Sequence, residues 1–321
     1  MTDKAEAAPP VAHQKYDQLI ARAKQSPPTK TVVVHPCDET SLRGAVEAAE
    51  EGLIAPILVG PAHKIEAVAR AHGIDIAPYE IIDVAHSDAA AARGVELIHE
   101  ARGEILMKGS LHTDELMRAV TASATGLRTA RRISHVFVMD VPTYSEPLFI
   151  TDAAINIEPD LDAKRDIIQN AIDLFNQVGL GKPRVAILSA VETVTSKIPS
   201  TIEAAALCKM AERGQITGGL LDGPLAFDNA IDPEAARIKG IHSQVAGRAQ
   251  ILVVPNLEAG NMLAKNLTFL ARADAAGIVL GARVPIVLTS RADSVRTRMA
   301  SCAVAVLLAD ARRHMAAMPV A

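Results

Sequence analysis

Tryptophan is absent and aromatic residues make up 2% of the 321 positions, so a surface that stacks nucleobases on exposed rings has almost nothing to be built from. Long basic runs are absent too. With 33 Lys and Arg against 37 Asp and Glu the formal charge is −4, and the broad positive field that draws nucleic acid or an anionic membrane is missing. Any anion site must be local. Although 49% of residues are hydrophobic, no apolar run approaches the ~18 residues needed to cross a bilayer. The expectation is a soluble protein with neither a nucleic acid nor a membrane as partner. Cys37, Cys208 and Cys302 are far apart and form no C-x-x-C, which argues against a disulfide framework or a zinc knuckle and for buried free thiols. No metal site is expected. No G-x-G-x-x-G follows an apolar strand and no P-loop occurs; Gly179-Leu180-Gly181-Lys182-Pro183 reads as a helix stop. Residues 1–14 are polar and rich in Ala and Pro, without an apolar secretory core, and predict a disordered leader on a cytoplasmic protein.

What the chain does contain is alternation. From Thr31 onward, short β-branched runs exchange with amphipathic stretches (Thr31 to His35, Thr40 to Glu51, Pro56 to Val59, Ala62 to Ala71, and so on), which predicts βαβ units and a parallel sheet. Ala and Val supply the small side chains that closely packed α/β layers need. The rhythm breaks at Ile133 to Asp140 and Leu148 to Ile155, two β-rich runs that read as a hairpin or a crossing between domains. Length allows two domains. The expected division is a first α/β domain of residues 15–142 plus 276–321 and a second of 143–275. Both are doubly wound, with a cleft between them, and the last helix, Ser294 to about Met315, returns to the first.

Polar groups gather at strand ends. Pro285-Ile286-Val287-Leu288-Thr289-Ser290-Arg291-Ala292-Asp293-Ser294 carries a hydroxyl, a guanidinium and a carboxylate out of an apolar strand and into the start of a helix. In an open parallel sheet that is where ligands bind, and a helix start favours an anion. A plain N-cap with a solvated Arg is the competing reading. Leu221 to Asp228, with Asp222 and Asp228, Ile251 to Asn261, with Gly260 and Asn261, and Leu148 to Asn156 have the same character. Met107-Lys108-Gly109-Ser110-Leu111-His112-Thr113 could hold a phosphate through Lys108, the Thr113 hydroxyl and backbone N–H groups; equally, Thr113 could be an ordinary cap. Arg128, Arg131 and Arg132 form a local basic patch before a strand. His112, His135 and His242 lack partner spacing and are assigned no role.

Taken in order, these segments resemble the phosphate acetyltransferase and phosphate butyryltransferase family from about Met107 to about Ser294. The resemblance implies an isocitrate/isopropylmalate dehydrogenase-like architecture, a homodimer, and exchange of an acyl group between CoA and phosphate. The substrates are then acyl-CoA, phosphate and acyl phosphate, with no tightly bound cofactor. It also implies Ser290 at the acyl carbonyl, Arg291 at the phosphate and an anion-binding role for Arg132. Many acetyltransferase members carry a carboxylate seven positions after the serine, where this chain has Thr297; Asp293 is the nearest replacement as a base. Acetyl is the expected acyl group. A longer acyl group, a metal-dependent NAD(P) decarboxylating dehydrogenase and a noncatalytic acyl-CoA sensor are the other readings.

Overall fold

Residues 14–288 and 293–317 are described by the structure, a computed structural model of the chain. The first alternating series becomes β1 (Thr29–Val34), α2 (Glu39–Glu50), β2 (Ile54–Gly60), α3 (Ala62–His72), β3 (Glu80–Asp83), α4 (Ser87–His99), β4 (Ile105–Lys108) and α5 (Thr113–Thr121), preceded by α1 (Gln14–Ala23). The second becomes β6 (Leu148–Thr151), α6 (Leu161–Gln177), β7 (Arg184–Leu188), α7 (Pro199–Glu212), β8 (Leu220–Leu225), α8 (Phe227–Ile231), α9 (Pro233–Ile238), β9 (Ile251–Val253) and α10 (Leu257–Leu270). Between them in space lie β5 (Ser134–Asp140), β10 (Asp274–Leu280) and β11 (Ile286–Val287), and the chain ends on α11 (Val295–Ala317).

Among the described residues, eleven strands form one sheet in the order β3-β2-β1-β4-β11-β10-β5-β6-β9-β7-β8. The outer strands pair in parallel, while β10 and β5 run antiparallel to each of their neighbours. Strands such as Val32-Val33-Val34 are apolar at every position because both faces are covered. One shared core lies on the face of α1, α2, α3, α6, α7 and α11, with Leu42, Ile65, Ile168, Leu207 and Val304 among its members. The opposite face holds two separate cores. One lies beneath α4 and α5, with Val95 and Leu116, and the other beneath α8 and α10, with Ala230 and Ala264. Continuous cover on one face and divided cover on the other leave a groove across the central strands.

The structure departs from the sequence reading at four places. Gln14, expected to end a disordered leader, opens helix α1, which the alternation did not reveal. Tyr16 fixes it. The ring is fully buried, the hydroxyl donates to the Val138 carbonyl and accepts from the Ala276 N–H, and Lys15 and the Tyr16 N–H both reach the Asp140 carboxylate at 3.0 Å. The segment Leu221 to Asp228, expected as a strand end, instead opens helix α8 at Phe227. The run expected as strand from Leu148 to Ile155 stops at Thr151. Finally, β10 begins at Asp274, so the expected division at 275/276 falls inside a strand.

Candidate active site

A row of residues in register crosses the sheet on its divided face. Val34 pairs with Lys108, Gly277 with Phe137 and Phe137 with Ile150; Leu288 stands one step beyond the pairings of Val287 with Met107 and Ile278. Val34 and Ile150, at the ends of the row, are fully buried, whereas Lys108, Leu288 and Phe137 are half-buried. Helical cover therefore lapses over three strand intervals, roughly 14 Å at ordinary strand spacing. Gly277 deepens the floor. A Cβ there would stand 2.9 Å from His135 Nε2 and 3.3 Å from the Leu288 carbonyl oxygen.

The rim on the β4 side is built by close backbone approach. Gly109 N–H donates to the Val34 carbonyl at 2.8 Å, and a Cβ on Gly109 would fall 2.4 Å from that same oxygen, so only glycine lets the loop cross the end of β1. Ser110 Oγ lies 3.0 Å from His35 Nδ1, and Lys108 Nζ donates to the Gly109 carbonyl at 3.1 Å. Thr113 is exposed and is the first helical residue of α5. The cap is His112, whose N–H donates to Glu115 Oε2 at 2.9 Å, one position earlier than the capping alternative for Thr113.

Ser290 and Arg291 lie outside the described residues. The strand that leads to them, β11, ends at Val287; Leu288 follows it in the groove, and the chain is described again from Asp293. Ser294, rather than Asp293, caps α11, since its Oγ accepts from the Thr297 N–H at 3.1 Å. Thr297 is buried, and its Oγ1 accepts from the Ser294 hydroxyl at 3.1 Å. The carbonyl of Asp293 accepts from Arg298 Nη1 at 2.6 Å. Arg298 is buried against α2, where a Cβ on Gly44 would stand 2.9 Å from both its Cδ and its Nε.

On the other side of the groove a single carboxylate organises the loop after β6. Asp152, 3% exposed, accepts through Oδ1 from the N–H groups of Ala154 and Ile155, both at 3.0 Å. Through Oδ2 it accepts from His135 N–H at 3.1 Å, Asn156 N–H at 3.3 Å and Asn156 Nδ2 at 2.6 Å. Asn156 Oδ1 in turn accepts from Arg132 Nε at 2.8 Å. The exposed Arg132 guanidinium is thus aimed by Asn156 and, through it, by Asp152. Arg132 lies five residues before Phe137, about 17 Å along the strand direction from the row of half-buried residues. Gly260 and Asn261 fasten the same loop. A Cβ on Gly260 would meet Val254 Cγ2 at 2.7 Å and Ala153 Cβ at 2.9 Å, and Asn261 Nδ2 reaches the Ala153 carbonyl at 3.4 Å.

Asp222 and Asp228 belong to β8 and α8, at the far edge of the sheet. Five strands separate β8 from β11 in the sheet order, which puts the two acids on the order of 25 Å from the groove floor. Asp222 accepts from the Gly223 N–H at 2.8 Å and Asp228 from the Asn229 N–H at 2.9 Å. All three cysteines are free thiols; burial pushes Cys302 and Cys208 up to about 12 and Cys37 up to about 11.

His135, assigned no role from sequence, lies in the groove floor with its ring against Phe137 and its Nδ1 buried without a hydrogen-bond partner. Burial lowers its pKa from 6.5 to about 4, against the opposing pull of Asp152. The unfolded chain therefore binds a proton more tightly between those two values, and stability falls as the pH drops through them. The expected loss from this residue is about 2 kcal/mol between pH 7 and pH 5. Denaturant titrations at both pH values on wild type and His135→Gln check it. An acid-induced loss of the same size in both chains would show that another group is responsible.

Residues 87–306 match the family described as phosphate acetyl/butaryl transferase. The chain is similar to the phosphate acetyltransferase of Rhizobium meliloti, at 76% identity over 304 residues covering 95% of this chain and 96% of that one. It is also similar to the phosphate butyryltransferase of Clostridium beijerinckii, at 40% identity over 92% and 98% of the two chains. Among solved structures, a branched-chain phosphotransacylase from Enterococcus faecalis V583 superposes with a TM-score of 0.77 at 27% identity, covering 88% of this chain and 99% of that chain.

Proposed function

The chain belongs to the phosphate acetyl/butaryl transferase family, and from that premise we propose that it moves an acetyl group between CoA and phosphate in the groove over β11, β10 and β5. The observation that carries the choice of acetyl is the 76% identity to an acetyltransferase, against 40% to a butyryltransferase. Two units, residues 15–142 with 276–321 and 143–275, joined through β10, which spans their junction, wall the groove. Phosphate attacks the thioester carbonyl of acetyl-CoA, the tetrahedral adduct expels the CoA thiolate, and acetyl phosphate leaves; the reverse reaction begins with thiolate attack on acetyl phosphate. Ser290 donates to the developing oxyanion and Arg291 holds phosphate, because a planar guanidinium suits bidentate contact with it. Lys108, at the groove, adds positive charge. Arg132, aimed by Asn156, takes a more distant anionic group of CoA.

No dedicated base is required, since a thiol is already a few per cent thiolate near neutrality. Asp293→Asn therefore keeps most of the wild-type kcat. Initial rates of acetyl-CoA formation from CoA and acetyl phosphate measure it, and a total loss would assign Asp293 the proton. The function itself is tested by phosphate-dependent release of CoA from acetyl-, propionyl- and butyryl-CoA. The highest kcat/KM is expected with acetyl-CoA. Release that does not depend on phosphate, or binding without turnover, would defeat the reading. A cytoplasmic homodimer completes the proposal. Met262, Phe269 and Leu270 are 59%, 78% and 82% exposed on one face of α10, a patch suited to a second copy of the chain.

A further inference from the structure

On the continuously covered face, opposite the groove, α6 and α11 meet over the end of β10 and leave a cavity of about 290 Å³. Its lining includes three guanidinium groups, Arg131, Arg283 and Arg312, and one carboxylate, Asp173, with the amides of Asn170 and Gln177 beside them. The carboxylate cannot neutralise the set. Asp173 Oδ2 lies 3.5 Å from Arg131 Nη1, and Arg312 spends one N–H on the Arg283 carbonyl at 3.0 Å. Burial lowers the pKa of Arg312, against the pull of Asp173. A half-buried guanidinium that lines a cavity with two exposed ones is costly unless an anion joins it, and planar donor forks of this kind match carboxylate and phosphate oxygens.

We propose that this cavity is a second binding site, separate from the catalytic groove, for a small organic dianion whose two negative charges lie on carboxylate or phosphoryl groups. Three cations against one anion leave a net charge of two to be matched. The volume suits a compact metabolite and falls short of a nucleotide. None of the catalytic or substrate-binding assignments above falls on the lining residues, so the proposal does not depend on the chemistry of the groove.

The test is calorimetric titration of the full chain with glycerol 3-phosphate and, separately, with succinate, each a dianion near neutral pH, at low ionic strength and with CoA saturating the groove. Saturable binding of at least one probe is expected in wild type, weakened about tenfold or more by Arg283→Gln and by Arg312→Gln. The stronger probe identifies the head group as phosphoryl or carboxylate. Circular dichroism checks that the variants fold; should Arg312→Gln not fold, Arg283, exposed at the cavity mouth, carries the test alone. No saturable heat with either probe, binding that survives Arg283→Gln undiminished, or binding that appears only without CoA would overturn the proposal. Because the readout is binding rather than turnover, its failure is distinguishable from failure of the acetyl-transfer reading.

Discussion

Removing the Ser290 hydroxyl, as Ser290→Ala, lowers kcat for phosphate-dependent release of CoA from acetyl-CoA by about 100-fold, with little change in KM. One positioned donor to a developing oxyanion is worth about 3 kcal/mol in a water-poor site, and that energy appears only as charge builds on the carbonyl oxygen. A ground-state contact would raise KM instead. The position of Leu288 supports the assignment, since this residue, one step past the end of β11, is half-buried in the groove and hands the chain directly to residues 289–292. Steady-state kinetics with acetyl-CoA as the varied substrate separate the two cases. A kcat within threefold of wild type would remove the serine from the carbonyl.

Asp152→Ala is expected to cost about 3 kcal/mol or more in stability and to abolish activity in whatever protein remains folded. The substitution strands the buried N–H groups of His135 and Asn156 and the buried Asn156 side-chain amide, together with the partly buried N–H groups of Ala154 and Ile155. Each unsatisfied buried donor costs on the order of 1–3 kcal/mol, and part of that sum returns through relaxation. Asp152→Asn is little better. Its amide nitrogen would have to face N–H donors on at least one side of the network. Guanidinium denaturation followed by circular dichroism measures both variants, the chain having no tryptophan to report by fluorescence. A loss under 1 kcal/mol for Asp152→Ala would mean that the loop has another anchor. Because Arg132 Nε rests on Asn156, a folded Asp152 variant should also bind CoA more weakly in calorimetric titration.

Most of the layered fold is legible in the chain because strands covered on both faces read as uninterrupted apolar runs, and the helices between them keep one polar face. Helices α2 and α3 match the ranges that periodicity gives to within a residue at each end, and the β-rich interruption around Val141 is the β5–β6 hairpin. What escaped depends on single distant partners. Helix α1 is held by one buried tyrosine whose partners, Val138 and Ala276, are far away in sequence. Ile155 continues the apolar pattern of β6, yet Asp152 draws the following N–H groups into a turn, a competition between local side chain and ladder that composition does not display. The groove row of Lys108, Leu288, Gly277 and Phe137 is brought together by the pairing of β4 with β11 and of β10 with β5, each across more than a hundred residues, so only Lys108, beside a glycine at a strand end, carried a local signal. Gly260 and Asn261 had that signal too, and in the fold they pin the loop at Ala153.

The unbroken ladder through β11, β10, β5 and β6 also limits how the molecule can accommodate substrates of different length. Two lobes joined by a flexible linker can swing apart like the covers of a book, but lobes sharing a hydrogen-bonded spine cannot part without tearing backbone pairs. Adjustment to the acyl chain then falls to the margins, the crossing at Gly109 on one side and the turn gathered by Asp152 on the other. A search for altered chain-length preference should mutate those margins and leave the spine alone.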